Sequence, residues 1–443
     1  MIETTAFVRT LEGKPAAVFG LGASGLSVVE SLVRAGARVL AWDDSAQSCE
    51  RAKALGAEII ALDDSTLADC AVLVLAPGVP LHFPAPHPVV TAARSAGIAI
   101  IGDLEILHRL HHGRRTVGIT GTNGKSTTTA LIAHILEGSG FDVAMGGNIG
   151  KPVLALDMPK PAGVFVIEVS SYQMDLCPTF SPDIGVLLNL TPDHIDRHGT
   201  FEGYGAAKER LFAGAGLAVI GTDDAPSAKL AQTIIARQER TVVSFSVQDT
   251  VSGLTEAFGL SRLKGVHNIQ NALAAYHVSR ALGVTEEQFF TGLKSFTGLP
   301  HRQFLVRVMD GVAYVNDSKA TNAQAAGTAL AAYQNIYWIV GGRPKAGGLE
   351  GLESVMPHIK HAFLIGEAME EFGTWLDRHG VPHHFNETLD RAVADAHRMA
   401  QSARGQPGGA GVVLLSPACA SFDQFQSFEA RGDAFACLVE GLA

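Results

Sequence analysis

One unit recurs along the whole chain and restricts its fold more than any other feature: a short β-branched apolar run, a turn rich in glycine or aspartate, then a helix-like stretch. Ala16-Ala17-Val18-Phe19 runs into Gly20, Val39-Leu40-Ala41-Trp42 ends at Asp43-Asp44, and Ala71-Val72-Leu73-Val74-Leu75 leads to Pro77-Gly78. The pattern restarts at Thr116-Val117-Gly118-Ile119 and continues through Val164-Phe165-Val166-Ile167 and Gly185-Val186-Leu187-Leu188. It restarts again at Val312-Ala313-Tyr314-Val315, followed by Ile336-Tyr337-Trp338-Ile339-Val340, Ala362-Phe363-Leu364-Ile365 and Val412-Val413-Leu414-Leu415. Such alternation predicts parallel sheets with helices on both faces. At about 150 residues per domain, the 443 residues accommodate three of them. The expected domains are residues 1–103, 104–299 and 300–443. A helix-like segment at 103–113 precedes the second start, and Gly298-Leu299-Pro300 punctuates before the third. Only residues 405–411 are locally low in complexity, and they read as an exposed loop.

Composition narrows the class. Hydrophobic residues make up 47% and charged residues 18%, enough for buried cores and incompatible with a mostly disordered chain. The net charge of −10 is spread without a long single-sign block, so no footprint for nucleic acid or anionic lipid is expected. Five scattered cysteines (Cys49, Cys70, Cys177, Cys419, Cys437) form no C-x-x-C pair, which suits reduced thiols in the cytoplasm better than disulfides or a zinc ribbon. Mean hydropathy is +0.19, yet no apolar run reaches the roughly 18 residues that a span requires, so membrane insertion is not expected. Residues 16–29 superficially resemble a signal segment, but their glycines and the following Glu30 and Arg34 argue against it.

Two glycine motifs carry nucleotide chemistry. Gly20-Leu21-Gly22-Ala23-Ser24-Gly25 follows a strand-like run and opens a helix-like one, and Asp43 ends the next strand. That is the dinucleotide fingerprint, in which the turn admits phosphate to a helix N-terminus and the acid takes a ribose hydroxyl. Three readings stay open: an NAD site, another nucleotide diphosphate, or a tight turn that binds nothing. The second motif is Gly121-Thr122-Asn123-Gly124-Lys125-Ser126, with Thr127 opening the helix. Ile119 stands where the general phosphate loop has its first glycine. The working parts remain: Gly121 and Gly124 turn backbone N–H groups toward phosphate, Lys125 neutralises it, and the Ser126 hydroxyl can bind Mg²⁺. Glu168, ending an apolar strand, supplies the expected Mg²⁺ carboxylate. Asn189-Leu190-Thr191-Pro192-Asp193-His194-Ile195-Asp196-Arg197-His198 is dense in metal-capable groups; a magnesium–phosphate role suits it better than zinc, with His198 a bystander.

Together these residues resemble the Mur ligase family, ATP-dependent amino-acid ligases of peptidoglycan precursor synthesis. The likeness covers nearly the whole chain: the 121–126 loop, Gly146-Gly147-Asn148-Ile149-Gly150, Glu168-Val169-Ser170-Ser171-Tyr172-Gln173 and Thr191-Pro192-Asp193-His194. It continues through Tyr204-Gly205-Ala206-Ala207-Lys208, the 267–275 helix, His301-Arg302 and Asp317-Ser318-Lys319-Ala320-Thr321-Asn322. The run Ser416-Pro417-Ala418-Cys419-Ala420-Ser421-Phe422-Asp423-Gln424-Phe425 looks like the signature of the D-glutamate-adding branch, and the Asp-Asn-Pro-Arg run of diaminopimelate-adding relatives is absent.

The resemblance implies an α/β fold of three domains: a Rossmann-like N-terminal domain that binds UDP, a central P-loop ATPase-type domain, and a C-terminal Rossmann-like domain. It implies transfer of phosphate from ATP to the carboxylate of UDP-N-acetylmuramoyl-L-alanine, then attack by D-glutamate. Lys125 and Ser126 would hold the phosphates and one Mg²⁺ with Glu168. A second Mg²⁺ would use His194 and a carbamylated Lys208. Asn268 and Asn271 would contact adenine, Asp317 the ribose, and Arg302 and Lys319 phosphate. Thr321 and Lys345 would hold one D-glutamate carboxylate, and Ser421 and the backbone near Phe428 the other. Ser24, Asp43, Gly78, Asn148 and Ser170 are the candidates for the UDP-sugar; the segment Asp43-Asp44-Ser45 and the Ala76 before Pro77-Gly78 depart from relatives. A cytoplasmic monomer whose C-terminal domain closes during turnover is expected. The competing readings are an NAD-dependent oxidoreductase and a folylpolyglutamate-synthase-like ligase.

Overall fold

The computed structural model describes residues 1–442 apart from 112, 215, 261, 262, 264, 346 and 405–410; the expected loop at 405–411 therefore lies, except for Gly411, outside the described residues. The chain divides into two compact units, residues 1–260 with 266–296, and 261–265 with 297–443.

The first unit holds two sheets. Strands β1 (Ala16–Phe19), β2 (Val39–Trp42), β3 (Glu58–Ile59), β4 (Val72–Leu75) and β5 (Ala99–Ile101) form a parallel sheet of order β3-β2-β1-β4-β5. Strands β6 (Arg115–Thr120), β7 (Val143–Gly147), β8 (Val164–Glu168), β9 (Ile184–Leu187), β10 (Leu217–Gly221) and β11 (Thr241–Phe245) form a second, in the order β11-β10-β9-β6-β8-β7. Its pairs are also all parallel. Strands of such sheets are buried on both faces, which is why β1, β4, β8 and β9 are apolar runs without alternation. The 16–29 stretch is β1, the glycine turn and the start of helix Ala23–Arg34.

One apolar cluster runs from Val18 and Leu104 to Phe165, Ile167 and Leu211, so the two sheets share a core. Helix Asp103–Arg109 joins them with two buried carboxylates: Asp103 accepts the Ser24 hydroxyl at 2.6 Å, and Glu105 accepts the Thr179 hydroxyl at 2.6 Å and its N–H at 3.1 Å.

The second unit is built on strands β12 (Phe304–Met309), β13 (Val312–Asn316), β14 (Ile336–Gly341), β15 (Ile359–Ile365), β16 (His383–Glu387) and β17 (Val412–Leu415), ordered β12-β13-β17-β14-β15-β16. Only the hairpin β12–β13 is antiparallel. Trp338 and Leu414 face one apolar layer, Phe363 and Val413 the other. Element ends differ slightly from the sequence reading: Ala71 and Leu188 fall outside β4 and β9, and β15 starts at Ile359.

Candidate active site

Strand β6 lies between β8 and β9, with Ile119 in register with Glu168 and Thr120 with Leu187. The glycine loop after β6, the acid ending β8 and the 189–198 segment after β9 therefore leave the sheet at one edge, beside its switch in strand order, where α/β sheets bind ligands. Gly121 has φ 151° and Gly124 φ 85°. A Cβ on Gly124 would sit 2.3 Å from Asn271 Oδ1, so only glycine permits this turn. Helix Lys125–Gly138 starts there, presenting its first amides and positive dipole end to an anion. Thr122 N–H donates to Asn189 O at 3.0 Å and Asn123 N–H to Asn189 Oδ1 at 2.8 Å, which fixes the loop on the 189–198 segment. Lys125 Nζ folds over it, 2.9 Å from Gly121 O and 2.7 Å from Thr122 O. Ser126 is buried and Thr127 half-buried on the first helical turn.

Asn271 stands against the glycine loop. It is 2% exposed, accepts from the Thr128 hydroxyl at 3.1 Å and donates to Asn268 Oδ1 at 2.8 Å. Its amide braces the glycine loop from behind, and Asn268, also buried, stands beside it.

Glu168 is 2% exposed. Its Oε1 accepts from Asn148 Nδ2 at 2.8 Å, while its buried Oε2 has no hydrogen-bond partner among the described residues. A buried carboxylate oxygen without a donor is costly unless a cation meets it, so the donor set fits a hard divalent ion. Lys208, 1% exposed, donates to Gly121 O at 2.9 Å and Thr120 Oγ1 at 3.3 Å, with Nζ 4.6 Å from the Tyr204 ring centroid. Burial, and then the neighbouring Lys125 charge, pushes its ammonium well below the ordinary lysine range. Among the described residues no group of three His, Cys, Asp or Glu side chains is arranged to hold a metal; Ser126 and Glu168 would supply hard oxygens instead.

His194 takes a left-handed backbone, φ 53°, and burial lowers its pKa. His198 is buried, with Nε2 2.9 Å from Ser171 Oγ and Nδ1 3.4 Å from Asp175 Oδ2. Its ring stacks on that of Tyr172.

Three candidates have local hydrogen bonds, Asp43 and Ser24 at the first sheet and Ser170 just after β8 of the second. Asp43 accepts the N–H of Leu21 at 2.5 Å and of Ser45 at 2.8 Å, bracing the glycine turn. The Ser24 hydroxyl is spent on Asp103. The Ser170 side chain caps helix Ser171–Asp175 through a capping box with Gln173. Gly78 is exposed, and its carbonyl accepts from Arg197 at 3.0 Å.

In the second unit the structure brings Lys345 Nζ to Thr321 Oγ1 at 3.4 Å and Lys319 Nζ over the Phe428 ring at 3.9 Å. Asp317 directly follows β13. It is buried, accepting from the Ser416 hydroxyl at 2.8 Å and the Gln303 N–H at 3.1 Å, and burial raises its pKa to about 7. Arg302 is half-buried close enough to temper that shift. The Ser421 carbonyl accepts from Phe425 N–H at 2.8 Å. Arg431, which sequence reasoning missed, is 1% exposed and donates to Ser318 Oγ, Ser318 O and Cys419 O at 3.0, 2.8 and 3.2 Å. Ser318 Oγ in turn donates to Phe428 O at 2.8 Å, so Arg431 splices the Lys319, Ser421 and Phe428 segments. Its only sequence signal was an arginine at the fourth position of the helix opened by Phe428.

Comparison with known proteins gives these constellations a context. Residues 14–102 match the MurD-like Mur ligase N-terminal domain and residues 119–279 the Mur ligase middle domain. The chain is 47% identical to the UDP-N-acetylmuramoylalanine--D-glutamate ligase of Agrobacterium fabrum, over 100% of this chain and 97% of that protein. It is 46% identical to the enzyme of the same name from Brucella abortus, over 97% and 96%. Among solved structures, the UDP-N-acetylmuramate-alanine ligase of Thermotoga maritima aligns with a TM-score of 0.61 at 16% identity, covering 96% of this chain and 99% of that one. A D-alanyl-D-alanyl ligase from Acinetobacter baumannii, which acts on UDP-N-acetylmuramoylalanyl-D-glutamyl-2,6-diaminopimelate, gives 0.58 at 18%, covering 91% and 90%. Likeness at those identities is one of fold, that of a three-domain α/β ligase. Near-half identity along the full length goes further: the chain belongs to the Mur ligase family, in the branch of the UDP-N-acetylmuramoylalanine--D-glutamate ligases.

Proposed function

We infer that this chain is an ATP-dependent ligase that joins D-glutamate to UDP-N-acetylmuramoyl-L-alanine, releasing ADP and phosphate, in peptidoglycan precursor synthesis. The observation that carries the chemistry is the convergence, at one sheet edge, of the glycine loop, the unpartnered Glu168 oxygen and the deeply buried Lys208. The full-length relatives carry the choice of substrates. An oxidoreductase leaves that edge unexplained, and Asp43 is engaged with the turn itself rather than free for a nicotinamide ribose. A folylpolyglutamate-synthase-like ligase leaves the MurD-like N-terminal domain unexplained.

In the proposed reaction the L-alanyl carboxylate attacks the γ-phosphorus, and ADP leaves. The D-glutamate nitrogen then forms a bond to the acyl carbon as the C–O bond to phosphate breaks. The first step brings two anions together, so its barrier is governed by positive charge and aligned donors. Lys125 and the first amides of helix Lys125–Gly138 supply these from the chain. Ser126 and Glu168 would hold Mg²⁺, which when bound neutralises phosphate charge and polarises the transferred group. Lys208, whose charged form is disfavoured by burial, is placed to take up CO₂; as a carbamate it would serve with His194 at a second ion. Asn268 is assigned to adenine, and Arg302 and Lys319 to phosphate. Lys345, Thr321, Ser421 and Phe428 are assigned to D-glutamate. Gly78 and Asn148 are assigned to the UDP-sugar, with Ser24, Asp43 and Ser170 shaping the loops around it. We further propose the domain limits 1–103, 104–299 and 300–443 and a cytoplasmic monomer. No described helix is long and apolar enough to cross a membrane.

The test is phosphate release by purified protein with ATP, Mg²⁺ and UDP-N-acetylmuramoyl-L-alanine, comparing D-glutamate, L-glutamate and meso-diaminopimelate. Release with D-glutamate alone, with an amide-linked product, is expected. Failure with every amine while ATP still binds would refute the assignment.

A further inference from the structure

The His194 ring is held at Nδ1, and its Nε2 stands near a carboxylate. Nδ1 lies 2.7 Å from the Tyr172 hydroxyl, and Nε2 lies 3.5 Å from Asp193 Oδ2. Asp193 Oδ1 accepts the His194 N–H at 2.9 Å, holding the left-handed backbone in place. The Tyr172 ring is itself clamped: the Arg197 guanidinium stands 4.6 Å from its centroid, and the buried His198 ring stacks 5.6 Å away at 19°. Arg197 then reaches back to the first sheet, donating to Gly78 O at 3.0 Å and Val79 O at 3.1 Å.

We propose that Tyr172 is a positioning residue of the ligation reaction: its hydroxyl sets the orientation of the His194 ring, and its own ring, through Arg197, couples that imidazole to the loop around Gly78. This rests on the ligase reading above.

A neutral imidazole has one N–H and one acceptor nitrogen. For Nε2 to present its lone pair to a cation, the proton must sit on Nδ1, where the Tyr172 oxygen accepts it. For Nε2 to donate to a phosphoryl or carboxylate oxygen, Nδ1 must be the acceptor, and the same hydroxyl donates. A phenol can do both, so the ring keeps its orientation in either tautomer. Packing between Arg197 and His198 requires only an aromatic face, which phenylalanine also provides. The hydroxyl on His194 is the part that packing does not explain. An outer hydrogen bond of this kind on a ligating histidine typically changes metal affinity or activity by about 10- to 100-fold.

The deciding variant is Tyr172→Phe, which preserves the ring and removes the hydroxyl. In ligand-free protein carrying ¹⁵N-labelled histidine rings, the His194 signals (assigned with His194→Gln) should show a hydrogen-bonded Nδ1 in the parent chain and a displaced Nδ1 signal in Tyr172→Phe. In turnover, kcat should fall about tenfold, with KM for ATP and D-glutamate within about twofold, a raised half-saturating Mg²⁺ concentration and an unchanged melting temperature. Arg197→Gln should raise KM for the UDP-sugar and also shift the His194 ring signals, as coupling through the Tyr172 ring requires; signals that stay put would overturn the coupling. Unchanged ring signals with unchanged kcat in Tyr172→Phe overturn the proposal. So does a loss of kcat that tracks a lowered melting temperature, which would assign Tyr172 to packing alone. If the parent chain shows no ligase activity, the functional reading fails, and the ligand-free ring signals still report whether Tyr172 controls His194.

Discussion

Replacing Asp317 by asparagine should change how the second unit responds to pH, in a direction that the structure dictates. The carboxyl is buried between the Ser416 hydroxyl and the Gln303 N–H, and desolvation raises its pKa from 3.8 to about 7. In the unfolded chain it loses its proton near 3.8; in the folded chain it holds it to about 7. Between those values the folded state binds more protons, so stability falls as pH rises. The favourable contribution is complete below the unfolded pKa and gone above the folded one. A difference of about three units at ~1.4 kcal/mol each amounts to roughly 4 kcal/mol, an order-of-magnitude figure that relaxation around the site reduces. Asparagine keeps the shape and does not titrate. Urea unfolding at pH 5 and pH 8, read by hydrogen exchange of the β13 amides, should therefore show the parent losing a few kcal/mol more than Asp317→Asn over that interval. Equal pH slopes for the two proteins would refute the reasoning, because they would mean that the carboxyl ionises in the fold without cost.

Other outcomes follow from single contacts. Glu168→Gln should cut turnover by at least about 100-fold and weaken Mg²⁺-dependent ATP binding by calorimetry, yet leave stability unchanged or raise it by about 1 kcal/mol, since the unpartnered charge is gone. Gly124→Ala should cost about 1–3 kcal/mol in urea melts and raise KM for ATP, because it forces a side chain into φ 85° against Asn271. Lys345→Met should raise KM for D-glutamate about tenfold or more and leave KM for ATP unchanged, reflecting loss of one charge-assisted hydrogen bond. Lys208→Met should abolish turnover. Peptide mass spectrometry of the parent protein in bicarbonate should find a carbamate on Lys208, lost on acidification.

The central strands were readable without the structure because their environment is uniform. A strand covered on both faces must be apolar along its length, as β1, β4, β8 and β14 are. Edge strands carry no such demand. β16 reads His383-His384-Phe385-Asn386-Glu387 and, like β3, is a strand only because a neighbour offers a ladder to pair with. The glycine loop was readable for a local reason too: positive φ at Gly121 and Gly124, followed by Lys125 and Ser126 on the opening turn of a helix, is a requirement carried within a few consecutive residues.

What the polar side chains do was decided elsewhere. Asp43 and Asp317 were legible as acids at strand ends, but the donors that claim them are Leu21 and Ser45 for the first, Gln303 and Ser416 for the second. Ser416 lies 99 positions from its partner. Asn271 points to the glycine loop through Thr128, 143 positions away, and Tyr172 meets His194 only because β8 and β9 both flank β6. Backbone conformation and burial pattern are properties of short stretches, so the chain alone determined its central strands and its phosphate loop. A carboxylate, amide or phenol takes whichever partner the completed fold brings within about 3 Å, and that choice belongs to the tertiary structure.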